Sequence, residues 1–365
     1  MNRRDFVLSS FLSGVAAPVF ATLQTEQFES ACQTLDQATA SGQISAAVLH
    51  VIHKEQTFSQ HFGTPESADA MFLLGSVSKP ICITALMTLF DKGEFQLDNP
   101  AQKFLPKFTG EGRERITMRD LMTHVSGLPD QLPENDTLRR SHADLNEFVE
   151  KAVRTPLLFQ PRARYGYSSM AILLASHVAE LISGTNIRDL VEQTVLDPLE
   201  MKHSAQGFGR FQLSDFVPCQ TEFAAPESGA GDPTAKDWDW NSSYWRGLGA
   251  PWGGTHASAP DVGRFLAEFL QEQGRILKPE TARLMIRNHN AKKLTPRGLG
   301  FNVGVSAGSR GCSANTFGHT GSTGTLAWAD PDREAICVVL TSLPGRAVEP
   351  HPRDLAGAAV VASLK

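Results

Sequence analysis

A serine and a lysine three residues apart carry the first candidate chemistry in this chain: Ser76-Val77-Ser78-Lys79, preceded by Gly75 and followed by Pro80. On a helix, residues three apart share a face, so the Ser76 hydroxyl and the Lys79 amine reach hydrogen-bond range. A hydroxyl needs a neighbouring base to attack a carbonyl, and the amine supplies one. Proline lacks an N–H and is tolerated in a first helical turn, which puts Ser76 at or near a helix N-terminus. There the macrodipole favours developing negative charge and free backbone N–H groups face an oxyanion. Gly75 permits a sharp turn and close substrate approach. A serine and lysine at this spacing also describe a capped surface helix, so the assignment depends on companions elsewhere.

Two companions stand out. Tyr167-Ser168-Ser169 lies just before the apolar run 170–182, which puts a tyrosine on a turn at a helix start. In extended chain Tyr165 and Tyr167 point to the same side, so spacing alone does not choose between them. Gly318-His319-Thr320-Gly321-Ser322-Thr323-Gly324 leads into a strand-like run, and its glycines let a ligand approach the backbone as an added strand and receive an N–H. The eleven histidines include no H-E-x-x-H pattern, and the five cysteines (Cys32, Cys82, Cys219, Cys312, Cys337) fit no metal-ligand spacing. No metal or organic cofactor is implied.

The elements that must position these residues are strands at both ends around a helical middle. Segments 44–53 and 57–62 read as a hairpin turning at Lys54-Glu55. The Ser76 helix runs to about Phe90 and stops near Gly93. From 98 to about 270 the pattern is helical and loop-rich, with helices at 118–122, 144–153, 169–182, 187–195 and 259–270. Strands return at 299–305, 326–329 and 335–342, and a helix follows at 353–364. The expected architecture is α/β (α+β): an antiparallel sheet built from both termini, flanked by helices, with a mostly helical inserted lobe at about 98–270. The cleft between lobes is the default site.

Composition sets the outer bounds. With 365 residues, 41% hydrophobic and 20% charged, the chain has ample material for a core, and a formal charge of -5 without a Lys/Arg block excludes a polyanion-binding role. Nucleic acid is not an expected partner. Residues 1–21 read as an export signal of the twin-arginine type: Arg3-Arg4, an apolar stretch shorter than the roughly 20 residues that span a bilayer, and Val19-Phe20-Ala21 as a cleavage site. The expected mature domain, 22–365, is periplasmic or extracellular, without stable membrane insertion. Folding before export would leave buried free thiols rather than a disulfide framework.

Ser76/Lys79, Tyr167 and His319-Thr320-Gly321, in this order, resemble the serine β-lactamase-like superfamily of class C β-lactamases, DD-peptidases and serine esterases. Supporting phrases run along most of the chain: Leu97-Asp98, Leu105-Pro106, the run from Arg115-Ile116-Thr117 to Ser126-Gly127-Leu128, Pro198-Leu199-Glu200-Met201, and Gly253-Gly254. The resemblance implies that Ser76 is the acylated nucleophile, Lys79 its base and Tyr167 a proton carrier. The Ser76 and Ser322 N–H groups form the oxyanion hole, and Ser169, His319, Thr320 and Gly321 bind substrate. A tyrosine acts as a base only where cations favour its anion, and Lys79 is the obvious one.

Three positions depart from that pattern. Ser169 stands where asparagine is usual, removing an amide toward lysine and substrate. His319 stands where β-lactamases carry lysine, and a mostly neutral imidazole anchors carboxylates poorly. Arg162 replaces a frequent glycine. Trp238, Trp240, Trp245 and Trp252, with Tyr244, suggest an apolar rim for an acyl or alcohol group, or plain packing. The reading is an exported serine hydrolase of small-molecule or peptide esters or amides, esterase-like first, D-alanyl-D-alanine carboxypeptidase second and β-lactamase third. A non-catalytic binding protein on the same fold is the rival from another class. A Ser-His-Asp hydrolase is disfavoured, because Gly75-Ser76 is not a G-x-S-x-G elbow.

Overall fold

Residues 46–52 are apolar without polar alternation apart from His50, the pattern of a strand covered on both faces. In the computed structural model, which describes residues 21–22 and 25–364, this run is buried from Ala46 to Ile52. The expected export segment lies, but for Ala21, outside the described residues. The strands are β1 (Ala21–Thr22), β2 (Ala46–His53), β3 (Gln56–Gly63), β4 (Phe72–Leu73), β5 (Ser204–Gln206), β6 (Thr255–Ala257), β7 (Asn302–Val303), β8 (Phe317–Gly321), β9 (Thr325–Asp330) and β10 (Ala335–Thr341).

Seven of these form one sheet in the order β1-β3-β2-β10-β9-β8-β7. Strands from both ends of the chain therefore interleave, and β10 lies between β2 and β9, antiparallel to both. Among the described strand pairs of this sheet, only the short β1 contact with β3 is parallel. Helices Glu29–Ala40 and Pro352–Ser363 pack on each other and cover one face, joined by Phe28, Leu35, Phe58, Trp328 and Val360. Helix Ala259–Leu270 covers β2, β9 and β10 on the other face, although the sequence reading grouped it with the inserted segment.

Helix Ser78–Asp91 is the axis of the larger core. Every residue from Ser78 to Leu89 is buried, as expected of a helix apolar on all sides, and it packs on helix Ser169–Ser183. It ends at Lys92, and Gly93 takes φ 80°, a left-handed stop. A second sheet, β4-β6-β5, holds the chain just before this helix: Leu74 N donates to Thr255 O at 2.9 Å and Thr255 N to Ser78 Oγ at 3.0 Å.

Two expectations shift. The strand read at 299–305 shrinks to β7, because Gly300 (φ 79°) and Gly304 (φ 89°) turn the chain out of extended geometry on either side. The glycine-rich segment 318–324, read as a strand approach, is itself mostly strand β8.

Candidate active site

From Met71 to Leu89 a single side chain escapes burial, and it is Ser76. It sits in a one-turn segment, Gly75–Val77, leading directly into the helix that begins at Ser78. Lys79 is fully buried one turn on, with Nζ 2.9 Å from Ser76 Oγ and 2.8 Å from the Trp252 carbonyl oxygen. The turn before β6 aims that carbonyl: Gly253 N and Gly254 N both donate to Ala250 O. Burial strips water from the ammonium and brings the Lys79 pKa down to about 7; Arg297 adds to the fall, while Asp130 and Cys82 oppose it. At neutral pH a large share of Lys79 is therefore free amine, able to accept the Ser76 proton.

The end of β8 is clamped onto the segment before Ser76. Thr323 Oγ1 donates to Leu73 O and Thr325 Oγ1 to Leu74 O, each at 2.7 Å. Gly75 has φ 55°, and a Cβ there would lie 2.9 Å from Thr323 Oγ1 and 3.2 Å from Ser322 N, so glycine is required for the approach. The Ser322 backbone nitrogen thus lies beside the turn that carries Ser76, the placement that two donors to one oxyanion would need.

Tyr167 rather than Tyr165 lines the cavity at Ser76. Its ring lies under Lys79 Nζ at 4.8 Å, and the ring of His319 is 6.1 Å away. Ser168 fixes this placement by capping helix Ser169–Ser183 through Ala171 N at 2.9 Å and donating to Pro129 O at 2.7 Å. The run His124 to Gly127 cradles the tyrosine loop: Arg162 N, Gly166 N and Leu158 N donate to Val125 O, His124 O and Gly127 O. The His124 ring lies 4.6 Å from that of Tyr167. Burial pushes the Tyr167 phenol above its ordinary pKa, against the pull of Arg297 and the Ser76 contact. The phenol is therefore a neutral acid at pH 7, and Lys79 alone does not turn it into an anion.

His319 Nδ1 is 2.7 Å from Thr320 O, and Nε2 is 2.8 Å from Arg297 Nη2. A carbonyl only accepts, so Nδ1 carries the ring proton and Nε2 accepts from the guanidinium. Burial, then Arg297, then Lys79 hold this imidazole well below the usual histidine range. His319 is neutral, as its type suggested, and the arginine behind it carries no local sequence signal. Thr320 and Gly321 do not line the cavity at Ser76, whereas Ser322 does. The Gly321 carbonyl instead accepts from Arg353 Nη1 at 2.6 Å, and a Cβ on Gly321 would lie 2.2 Å from Leu74 O.

Ser169 lines that cavity without a free hydroxyl. Its N and Oγ donate to Asp130 Oδ1 at 2.8 and 2.6 Å, so Asp130, which sequence reasoning missed, presents the carboxylate here. Arg162 is a clamp: at φ 66° it occupies backbone space natural to glycine, and its Nε and Nη2 hold both oxygens of buried Asp120 at 2.9 and 2.7 Å. Asp120 caps helix Met118–Met122 through Thr117. The tryptophans form a buried wall rather than a rim: Trp240, Trp245 and Trp252 line the cavity of about 150 Å³, together with Arg139 and Glu227. Trp238 does not line it, and Tyr244 donates to Ala143 O at 2.8 Å. His50 is structural, with Nδ1 2.7 Å from Ser59 Oγ, and all five cysteines are free and buried.

With this geometry in place, the family profile described as Beta-lactamase matches residues 32–362. The chain belongs to the beta-lactamase family. Among family relatives it is 32% identical over 155 residues to Esterase EstB of Burkholderia gladioli, covering 38% of this chain and 39% of the esterase. It is 25% identical over 290 residues to a putative D-alanyl-D-alanine carboxypeptidase of Escherichia coli K12, covering 71% and 66%. These matches thus span less than two thirds of either relative's length. The fold matches that of EstCE1, described as a hydrolase with promiscuous acyltransferase activity, with a TM-score of 0.76, 19% identity, and coverage of 92% of this chain and 99% of that one.

Proposed function

We propose that this beta-lactamase-family chain is a serine hydrolase that forms an acyl-enzyme on Ser76, with neutral esters as its best substrates. The observation that carries the reading is Ser76, the one side chain between Met71 and Leu89 that escapes burial, at 2.9 Å from a buried lysine whose pKa is lowered to about 7. The Lys79 amine takes the Ser76 proton as Oγ bonds to the carbonyl carbon, and the Ser76 and Ser322 N–H groups donate to the oxyanion. Tyr167, a neutral phenol, gives its proton to the departing alkoxide and regains one from Lys79. Water then attacks the acyl-enzyme by the same relay in reverse.

Ester preference follows from the two polar departures. Ser169 is spent on Asp130, leaving no amide for an acylamino group, and neutral His319 offers a carboxylate no charge. The carboxypeptidase reading is kept as the second one, because Arg297 places a fixed cation next to His319. The proposal includes export by the twin-arginine segment and a mostly helical inserted lobe, expected at about 98–270 but without helix Ala259–Leu270, which packs on the main sheet. Fractionation of cells carrying the chain with and without Arg3-Arg4 tests the former, and limited proteolysis the latter. Side-by-side kcat/KM values for a short-chain aryl ester, a D-Ala-D-Ala peptide and a chromogenic cephalosporin test the ranking. The ester must lead, and a leading peptide would transfer the assignment to the carboxypeptidase reading.

A further inference from the structure

The peptide group between Gly321 and Ser322 carries the second N–H of the oxyanion hole proposed above, and a buried cation holds its carbonyl end. Arg353 Nη1 donates to Gly321 O at 2.6 Å and to Thr325 O at 3.1 Å. Gly324 N donates to the same Gly321 oxygen at 3.1 Å, and Gly345 N donates to Ser322 O at 2.9 Å. The peptides on both sides of Ser322 are therefore fixed. The one before it is trans, so its N–H points the opposite way from the carbonyl that Arg353 holds. Its nitrogen lies beside the turn that leads into Ser76, 3.2 Å from where a Cβ on Gly75 would stand. Ser322 is exposed and lines the Ser76 cavity.

Helix stability does not call for an arginine at this place. Arg353 is the second residue of helix Pro352–Ser363, where the positive end of the macrodipole disfavours a cation. Its side chain is 11% exposed, and the one carboxylate at ion-pair distance among the described residues is half-exposed Asp354, 3.3 Å from Nε. Burial lowers its proton affinity, yet a guanidinium keeps its charge at neutral pH. The charge is thus directed at main-chain oxygens of the β8–β9 turn. A hydrogen bond from a cation is stronger than one from a neutral donor, and it draws electrons toward the carbonyl oxygen. The N–H at the other end of the same amide becomes more positive and a better donor.

Building on the acyl-enzyme reading above, we propose that Arg353 is a positioning residue of the oxyanion hole: it fixes the peptide between Gly321 and Ser322 and strengthens its N–H as a donor to the substrate oxygen that becomes charged. Arg353 touches no substrate and moves no proton. Its effect is felt where negative charge develops, so it raises kcat and leaves ground-state binding alone.

The test uses p-nitrophenyl acetate and its thiono analogue, in which sulfur, a poor hydrogen-bond acceptor, replaces the carbonyl oxygen. Arg353→Met should lower kcat for the oxygen ester by about tenfold, less than the loss of a whole oxyanion donor, with KM within about twofold of wild type. The oxo/thiono ratio of kcat/KM should fall severalfold, whereas an arginine that merely anchors the terminal helix would weaken both esters alike. Should Arg353→Met fail to fold, Arg353→Gln and Arg353→Lys decide: the neutral amide should lower the ratio, and the charged amine should keep it near wild type. A ratio unchanged in Arg353→Met, a loss confined to KM, or equal ratios in the glutamine and lysine variants would each overturn the proposal. Fluorophosphonate labelling of wild-type Ser76, followed by intact mass, separates the two levels. An adduct together with an unchanged ratio removes the role of Arg353 alone, while no adduct removes the hydrolase reading and this role with it.

Discussion

Two buried cations face the Tyr167 ring from different parts of the fold, and they behave differently. Lys79, on the helix after Ser76, puts Nζ 4.8 Å from the ring centre, and Arg297, on the loop before β7, puts Cζ at 5.5 Å. The same loss of water brings the amine to a pKa near 7, whereas a guanidinium keeps its charge. The amine can therefore move a proton, while the guanidinium supplies a fixed field that lowers the proton affinity of Lys79, His319 and Tyr167. A titrating cation and a permanent one serve the same phenol, and neither can replace the other.

The sharpest break of this contrast is at Ser76, the nucleophile proposed above. Ser76→Ala should lose turnover by about 10⁴-fold or more and show no fluorophosphonate adduct by intact mass; an adduct surviving there means another residue is acylated. Next, Lys79→Ala should lower kcat by about 10²- to 10⁴-fold with little change in KM, and Lys79→Arg should not rescue it, because arginine keeps its proton. Rescue by arginine would show that charge alone matters at that position. Tyr167→Phe should cost about 10²-fold or more in kcat while Tyr165→Phe stays near wild type, and the reverse result would exchange the two tyrosines.

The subtler test is a pH profile. Activity needs neutral Lys79, so kcat/KM should rise with pH through about 7, the lowered value at that amine. Removing a positive neighbour favours the ammonium, so Arg297→Met should move this acidic limb to higher pH. A limb that stays in place, or moves down, would disconnect the two cations. Smallest for activity is Arg162→Ala, which leaves buried Asp120 without its paired donors. A stability loss of about 1–2 kcal/mol, discounted because Arg162 is half exposed, should appear in denaturant melts with the Tyr167 effects intact.

The residues that share a local motif were readable in sequence, and those joined only by tertiary structure were not. Ser76 and Lys79 sit one helical turn apart, and Tyr167 precedes a capped helix, so short-range geometry announces them. Asp130, Arg139 and Arg297 are single residues on separate segments, with no spacing to mark them. Helix Glu29–Ala40 was also missed: its buried Ala31, Cys32, Leu35 and Ala38 keep helical spacing, but small residues among glutamines and threonines give a weak apolar stripe. Helices Asn135–Arg140 and Ser243–Leu248 span six residues each, too short for a period to show. Their contribution is to bring Arg139 and Trp245 to one wall.

The place of β10 in the sheet governs how the molecule comes off the ribosome. The hairpin of β2 and β3 emerges before the helical middle, yet the neighbour of β2 is residues 335–341, made only after that middle is complete. Until then β2 offers an open edge while the helical middle is still being synthesised, a non-local pairing that slows folding and exposes the nascent chain to misassociation. Ser322 also follows the helical middle, so the second proposed oxyanion donor arrives only after that middle has been made. A chain stopped before β8 would carry Ser76, Lys79 and Tyr167 and still be inert, so that premature hydrolysis by an unfinished polypeptide is prevented by the order of the strands themselves.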